Sequence, residues 1–177
     1  MISNSTSGQS LKPGSSGLTD GRLAGVLAQP ELLLIPLAFV FHFTWEMLQD
    51  PLYAGLATQP HGDVRAQCLM ATAGDVAITL TAFYLASLIA RSRFWFLNAH
   101  RTPTIVWFAI GLLLTIALEL YATRVIGRWS YGPLMPIVPI LRIGLVPLLQ
   151  WLLIPAALLF LMNRHFRGMR PFERDIQ

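Results

Sequence analysis

Cysteine, lysine and charged residues are all scarce in this chain of 177 residues. The single cysteine, Cys68, has no partner within the chain, which excludes a disulfide-stabilised secreted domain. Charged residues make up 12% of the chain, about half the share that soluble domains carry. Lys12 is the only lysine, and the arginines lie between apolar blocks rather than in one basic stripe, so no nucleic-acid partner is predicted.

Hydrophobic residues, in contrast, make up 54% of the chain and form four long blocks. Each block is long enough as a helix to cross a hydrocarbon core of about 30 Å. The sequence therefore predicts an all-α integral membrane protein, a multi-pass four-helix bundle in the bacterial inner membrane. The predicted helices cover about residues 32–49, 69–90, 104–126 and 143–162.

More polar segments lie on both sides of the predicted transmembrane domain, residues 21–165. Residues 1–20 are rich in Ser, Gly and Thr and are predicted to form a flexible tail. Residues 166–177 are predicted to form a basic cytoplasmic tail. Three prolines interrupt the apolar segment 131–141, which is predicted to be either an outer lid or re-entrant turn, or a plain loop.

The distribution of basic residues predicts that both termini lie in the cytoplasm. Cytoplasmic segments of membrane proteins carry an excess of Lys and Arg. With the N-terminus inside, nine basic residues fall on inner segments and four on outer segments or helix ends. The four outer residues are Arg65, Arg124, Arg128 and Arg142.

Three of the predicted helices contain a carboxylate, namely Glu46, Asp75 and Glu119. His42 lies four residues before Glu46 and Gln49 lies three residues after it, so these side chains share one helix face. A carboxylate that faces lipid is costly, so this face is predicted to point into the bundle.

With the predicted orientation, every intramembrane charged group falls in the outer half of the membrane. The fourth helix contributes Gln150 within it and Arg142 just before it. The sequence therefore predicts one polar pocket near the outer face. The predicted catalytic residues are His42, Glu46, Asp75 and Glu119. The predicted substrate-binding residues are Trp45, Gln49, Trp129, Tyr131, Arg142 and Gln150.

Three kinds of chemistry are compatible with such a pocket. A buried carboxyl group can donate a proton to a lipid-soluble substrate, and a neighbouring His can relay it. A metal site is the second possibility, but no second His lies at ligand spacing, and no metal or other cofactor is predicted. The third is a structural ion-pair network in which Arg142 or Arg124 neutralises Glu119.

The segment Phe41-His42-Phe43-Thr44-Trp45-Glu46 resembles the His-x-x-x-Glu element of the emopamil-binding-protein family of membrane isomerases. The Trp45-Glu46 pair is also similar to the Trp-Glu of integral-membrane terpene cyclases. The isomerase resemblance implies a small helical membrane protein that acts on sterols, with a proton-shuttling role for His42, Glu46 and Glu119. The stretch from Glu119 to Trp151 resembles a pattern in uncharacterised small bacterial membrane proteins, which implies no function.

Two functions therefore stay open at the level of the sequence. The first is acid–base isomerisation or cyclisation of an isoprenoid or other lipid. The second is a non-enzymatic role as an accessory or structural subunit, or as a small-molecule carrier. The expected partners are membrane lipid and a lipophilic small-molecule substrate, and an oligomer or partner subunit is compatible with both functions.

Overall fold

The computed structural model describes residues 29–55, 60–98 and 100–174, and most of these residues are helical. The predicted all-α fold is confirmed, and four helices are long and apolar enough to cross a membrane. They are α1 (Pro30–Gln49), α2 (His61–Ala90), α3 (Arg101–Leu120) and α4 (Leu145–Arg174). The shorter elements are 3-10 turns at Asp50–Leu52 and Trp95–Leu97, a π-helical turn at Tyr121–Val125, and strands β1 (Ile137–Val138) and β2 (Ile143–Gly144).

Local sequence signals explain several of the helix ends. Pro30 is the first residue of α1, and Pro103 lies in the first turn of α3, where a helix does not need the missing N–H. α2 ends where Arg91 adopts the left-handed conformation with φ 51°. The backbone N–H groups of Arg91 and Ser92 then donate to carbonyls in the last turn of α2, which caps the helix.

Each long helix packs against two others, in the order α1, α2, α3, α4 and back to α1. At one end, which we call the aromatic end, Asn163 of α4 donates to the carbonyl of Phe96 in the connection between α2 and α3. On the same connection, Arg93 forms an ion pair with Glu31 at the start of α1. The start of α1, the end of α2 and the last part of α4 therefore meet at this end.

The opposite end, which we call the hairpin end, joins the segments that follow α1 and α3. Tyr53 and Tyr131 form an antiparallel bridge, in which Gly132 N–H donates to Leu52 O at 2.8 Å and Ala54 N–H donates to a carbonyl of the partner segment. Strands β1 and β2 pair antiparallel close to this bridge. α1 and α3 therefore end at the hairpin end, whereas α2 and α4 end at the aromatic end. Neighbouring helices consequently run in opposite directions.

Buried aromatic side chains fill the space between the helices at the aromatic end. Phe83 of α2 contacts Trp95, Phe96 and Trp107 with ring centroids 6.3–6.4 Å apart. Trp95 and Trp107 are each at most 2% exposed, and the cluster belongs to the main apolar core. Edge and tilted contacts of this kind add to the free energy gained by burying the rings.

A glycine allows α3 and α4 to approach closely near the middle of the assembly. A Cβ on Gly111 would lie 2.3 Å from the ring of Trp151, so only a glycine fits there without moving that ring. Trp151 in turn contacts His42, with the two ring centroids 5.3 Å apart. The Gly111 contact thus fixes the position of one wall of the site described below.

Several boundaries differ from the sequence-based expectation. α2 begins at His61 rather than near residue 69, and α4 continues to Arg174, so most of the predicted basic tail is helical. Hydropathy marks only the apolar part of a helix, and both extensions are polar. Segment 131–141 contains β1 and the buried Met135 and leads into β2, a pairing that the sequence did not predict. The predicted tail, residues 1–20, lies outside the described residues.

The outer surface of the helices carries many large apolar side chains. Leu48, Leu88 and Val125 are each about 70% exposed, and they come from three different helical segments. Soluble proteins rarely expose contiguous apolar surface on this scale. Several polar side chains, including those of His42, Gln49, Glu119 and Gln150, are instead buried between the helices, towards the hairpin end.

Candidate functional site

One face of α1 supplies the first half of the site. His42 is fully buried, and Glu46 and Gln49 follow it at helical spacing. Trp45 Nε1 donates to Gln49 Oε1 at 3.1 Å, and Gln49 Nε2 donates to Glu46 Oε1 at 2.8 Å. Gln49 therefore orients the Glu46 carboxyl group, and Trp45 orients Gln49.

Gln150 of α4 connects this face to α2. Its Nε2 donates to His42 Nδ1 at 2.8 Å and to Asp75 Oδ2 at 2.9 Å, and it lies 3.4 Å from Glu46 Oε1. An amide nitrogen can only donate, so His42 Nδ1 accepts and the ring proton lies on Nε2. That nitrogen faces the hydroxyl oxygen of Thr79 at 3.2 Å.

The carboxyl groups of Glu46 and Asp75 line the same cavity, and both lie within hydrogen-bond distance of Gln150 Nε2, at 3.4 Å and 2.9 Å. Two carboxylates held this close together repel, which favours a state in which one of the two carries a proton. Asp75 Oδ2 also lies 3.5 Å from His42 Nδ1. The site thus contains two neighbouring carboxyl groups next to an imidazole.

Glu119 reaches the same region from α3. It accepts hydrogen bonds from the Tyr131 hydroxyl and, at 3.4 Å, from Trp129 Nε1. Burial raises the pKa of Tyr131 above its usual range, so this hydroxyl stays protonated and acts as a donor. Tyr53 packs against both aromatic rings, which ties the hairpin end to the third carboxyl group.

A cavity of about 370 Å³ joins these groups, within the size range of small-molecule sites. All three carboxyl groups line it, together with Gln49, Trp129 and Gln150 from the predicted site. The Thr115 hydroxyl also lines it, is buried and has no hydrogen-bond partner among the described residues. A buried hydroxyl of this kind indicates a place for a polar atom of a ligand or for water.

The structure brings together most of the residues that the sequence singled out, with one clear exception. His42 and Tyr131 stand behind the cavity lining and bind residues that form it, and Trp45 acts through Gln49. Arg142 is exposed and does not line the cavity. Within the described ranges, the ion pairs that involve an arginine include none with Glu46, Asp75 or Glu119. The ion-pair network with Arg142 or Arg124 is therefore not present there, and Arg124 donates to Leu141 O instead.

Four residues of the site were not predicted. Thr79 lies four residues after Asp75 and Thr115 four residues before Glu119, a helical spacing that could have indicated both. Tyr53 and Trp151 line the cavity, but aromatic residues near a helix end or in an apolar block give no distinguishing signal. Across residues 29–55, 60–98 and 100–174, no three His, Cys, Asp or Glu side chains are arranged to hold a metal ion.

Comparisons with protein families, with curated proteins and with solved structures find no match to this chain. The function is therefore inferred from the geometry of the carboxyl-lined cavity.

Proposed function

We propose that the chain spans the bacterial inner membrane as a four-helix bundle and catalyses acid–base isomerisation or cyclisation of a lipophilic substrate, such as an isoprenoid. The Glu46–Asp75 carboxyl pair is the observation that carries this proposal. In the proposed mechanism the pair holds one proton inside a largely apolar cavity, and among the described residues no arginine forms an ion pair with either carboxyl group. The apolar outer surface of the helices supports placement in a membrane.

The proposed reaction needs only the protein's own groups and the substrate. The protonated carboxyl group of the pair adds its proton to one carbon of a C=C bond, and the adjacent carbon becomes a cation. A carboxylate of the site then removes a proton from a neighbouring carbon, which forms a new double bond. The aromatic faces of Tyr53 and Trp129 line the cavity and stabilise the intermediate cation.

Hydrogen–deuterium exchange tests the proposal whatever the identity of the product. Protein in phosphatidylcholine vesicles is incubated in D₂O with isoprenoid alkenes, including squalene and farnesol, and with a bacterial lipid extract. We expect one deuterium to enter the product for each protonation, as measured by mass spectrometry. Protein-free vesicles are the control. If no lipid gains deuterium above this control, the enzymatic proposal fails.

A non-enzymatic role is the alternative, and one observation favours it. The hydrogen bonds of Gln150 join α1, α2 and α4, and polar bonds of this kind can hold membrane helices together. An accessory subunit or carrier would keep these bonds and show no deuterium exchange. The same measurement therefore separates the two functions.

The orientation is proposed to place both termini in the cytoplasm, so that the aromatic end is inside. Arg91, Arg93, Arg101 and Arg164 belong to this end, whereas Arg65 and Arg128 belong to the hairpin end. We expect reporter fusions after Asn163 to be cytoplasmic and fusions near Gly55 to be external. External activity of the Asn163 fusion would reverse the topology and place the cavity in the inner half of the membrane.

A further inference from the structure

The four helices contribute unequally to the surface of the cavity. Residues from α4 that line it, namely Pro147, Gln150 and Trp151, are all buried. On α1, the exposed neighbours of Glu46, Met47 and Leu48, do not line it. The cavity is therefore closed on the sides of α1 and α4.

The walls from α2 and α3 include exposed residues. Met70 and Gly74 of α2 line the cavity and are exposed, as are Leu118 of α3 and Tyr121, which directly follows α3. A Cβ on Gly74 would meet no atom within 4 Å, which shows open space in front of this helix. The cavity consequently reaches the surface between α2 and α3.

This opening lies at a depth where lipid, not water, surrounds a membrane protein. At ~1.5 Å per residue, Gly74 is about 24 Å from the Ala90 end of α2, and Leu118 is about 26 Å from the Arg101 end of α3. We place the edge of the hydrocarbon core, which is ~30 Å thick, at these two helix ends. Both positions then lie inside the core. The exposed lining side chains on this part of the two helices, Met70, Leu118 and Tyr121, are apolar or aromatic, as lipid contact requires. The exposed polar lining residues, Gln67 and Arg128, lie closer to the hairpin end.

We propose that the gap between α2 and α3 is a lateral portal through which an elongated, mostly apolar ligand enters the cavity directly from the bilayer. The polar end of the ligand passes Gly74 and reaches the Thr115 hydroxyl and the carboxyl pair, while its apolar part remains in the gap. This inference rests on the proposed placement in the membrane. It specifies the substrate class as a lipid-dissolved molecule rather than a water-soluble one.

Cys68 is a built-in reporter for this path, because it lines the cavity and is the only cysteine of the chain. Protein in phosphatidylcholine vesicles is treated with N-phenylmaleimide, which partitions into lipid, or with its sulfonated analogue, which does not. The sulfonated reagent is present on both sides of the vesicles. We expect N-phenylmaleimide to modify Cys68 much faster, with both reagents reacting equally after unfolding in detergent.

Gly74→Phe places a large side chain in the portal and is expected to slow N-phenylmaleimide labelling about tenfold, which a barrier increase of ~1.4 kcal/mol produces. Gly168→Phe is the matched control, because Gly168 is exposed on α4 and a Cβ there also meets no atom within 4 Å. It should leave the rate unchanged. Leu118→Trp replaces Gly74→Phe if that variant does not fold.

Equal labelling by the sulfonated reagent in intact vesicles would overturn the portal, since access would then be aqueous. The absence of labelling by N-phenylmaleimide, or labelling that neither portal variant slows, would also overturn it. Failure of the proposed reaction gives a different result. In that case the labelling pattern stays as expected, while no lipid gains deuterium.

Discussion

Glu46→Gln is expected to lower the rate of deuterium incorporation by about 100-fold or more, the usual contribution of a positioned acid or base. The substitution keeps the size of the side chain and removes its titratable proton. The amide can still accept from Gln49, so the fold should persist. Asp75→Asn should have a comparable effect, because in the proposed mechanism the two carboxyl groups share one proton.

Glu31→Gln is the matched control for Glu46→Gln. Glu31 is also a buried carboxyl group of α1, but it lies at the aromatic end, where it pairs with Arg93. This variant should retain wild-type exchange rates. Full activity of Glu46→Gln would exclude proton transfer by Glu46 and favour the accessory-protein alternative. Thermal unfolding of both variants shows whether any loss of activity reflects a loss of folded protein.

Gln150→Met is expected to be the most destabilising single change in the site. It removes an amide group whose two hydrogens bond His42 and Asp75 on two other helices. Hydrogen bonds between membrane helices contribute about 0.6 kcal/mol each on average, so the loss of two predicts a decrease of about 1.2 kcal/mol in the free energy of unfolding. Activity should fall as well, because His42 and Asp75 lose the group that sets their relative position.

Gln49→Met provides the comparison for that result. Gln49 is also a buried glutamine, but among the described residues its side-chain hydrogen bonds are to Glu46 and Trp45 of its own helix. Side-chain pairs within one helix contribute about 0.2–0.5 kcal/mol each, so the loss of two predicts about 0.5 kcal/mol of destabilisation. Reversible unfolding in mixed micelles measures both variants. Equal destabilisation by the two substitutions would contradict the assignment of Gln150 as the group that connects the helices.

The number and type of the long elements could be predicted because they depend on composition alone. Twenty consecutive apolar residues have few alternatives to a membrane-spanning helix. The polar extensions of α2 and α4 could not be predicted in the same way, because hydropathy does not distinguish a polar helix from a loop. The β1–β2 hairpin pairs residues that lie close to three prolines. Prolines interrupt the sequence patterns of both helices and strands, so no local pattern indicated this pairing.

The carboxyl groups of the site could be predicted because each one is rare within an apolar block and is costly unless it faces the interior. Helix direction then placed Glu46, Asp75 and Glu119 at similar depths. The sequence could not specify which side chain connects them. It assigned equal roles to Arg142 and Gln150, whereas the structure places Gln150 at the centre and leaves Arg142 exposed. Arg142 has φ 50° in the turn before β2, which is not a helical conformation. Its side chain therefore does not point in the direction that the sequence-based prediction derived from the fourth helix.

The position of Gln150 on the last helix also has a consequence for biogenesis. Its two closest acceptors precede it by 108 and 75 residues, so in the proposed membrane placement they enter the bilayer well before their donor is synthesised. Until α4 inserts, His42 Nδ1 and Asp75 Oδ2 lack this donor within the bilayer, a state that costs free energy. The buried polar groups therefore gain all of their hydrogen-bond partners only when the chain is complete, and not when any single earlier helix inserts. An incomplete chain is thereby chemically distinct from a finished one, which gives membrane quality control a feature to recognise.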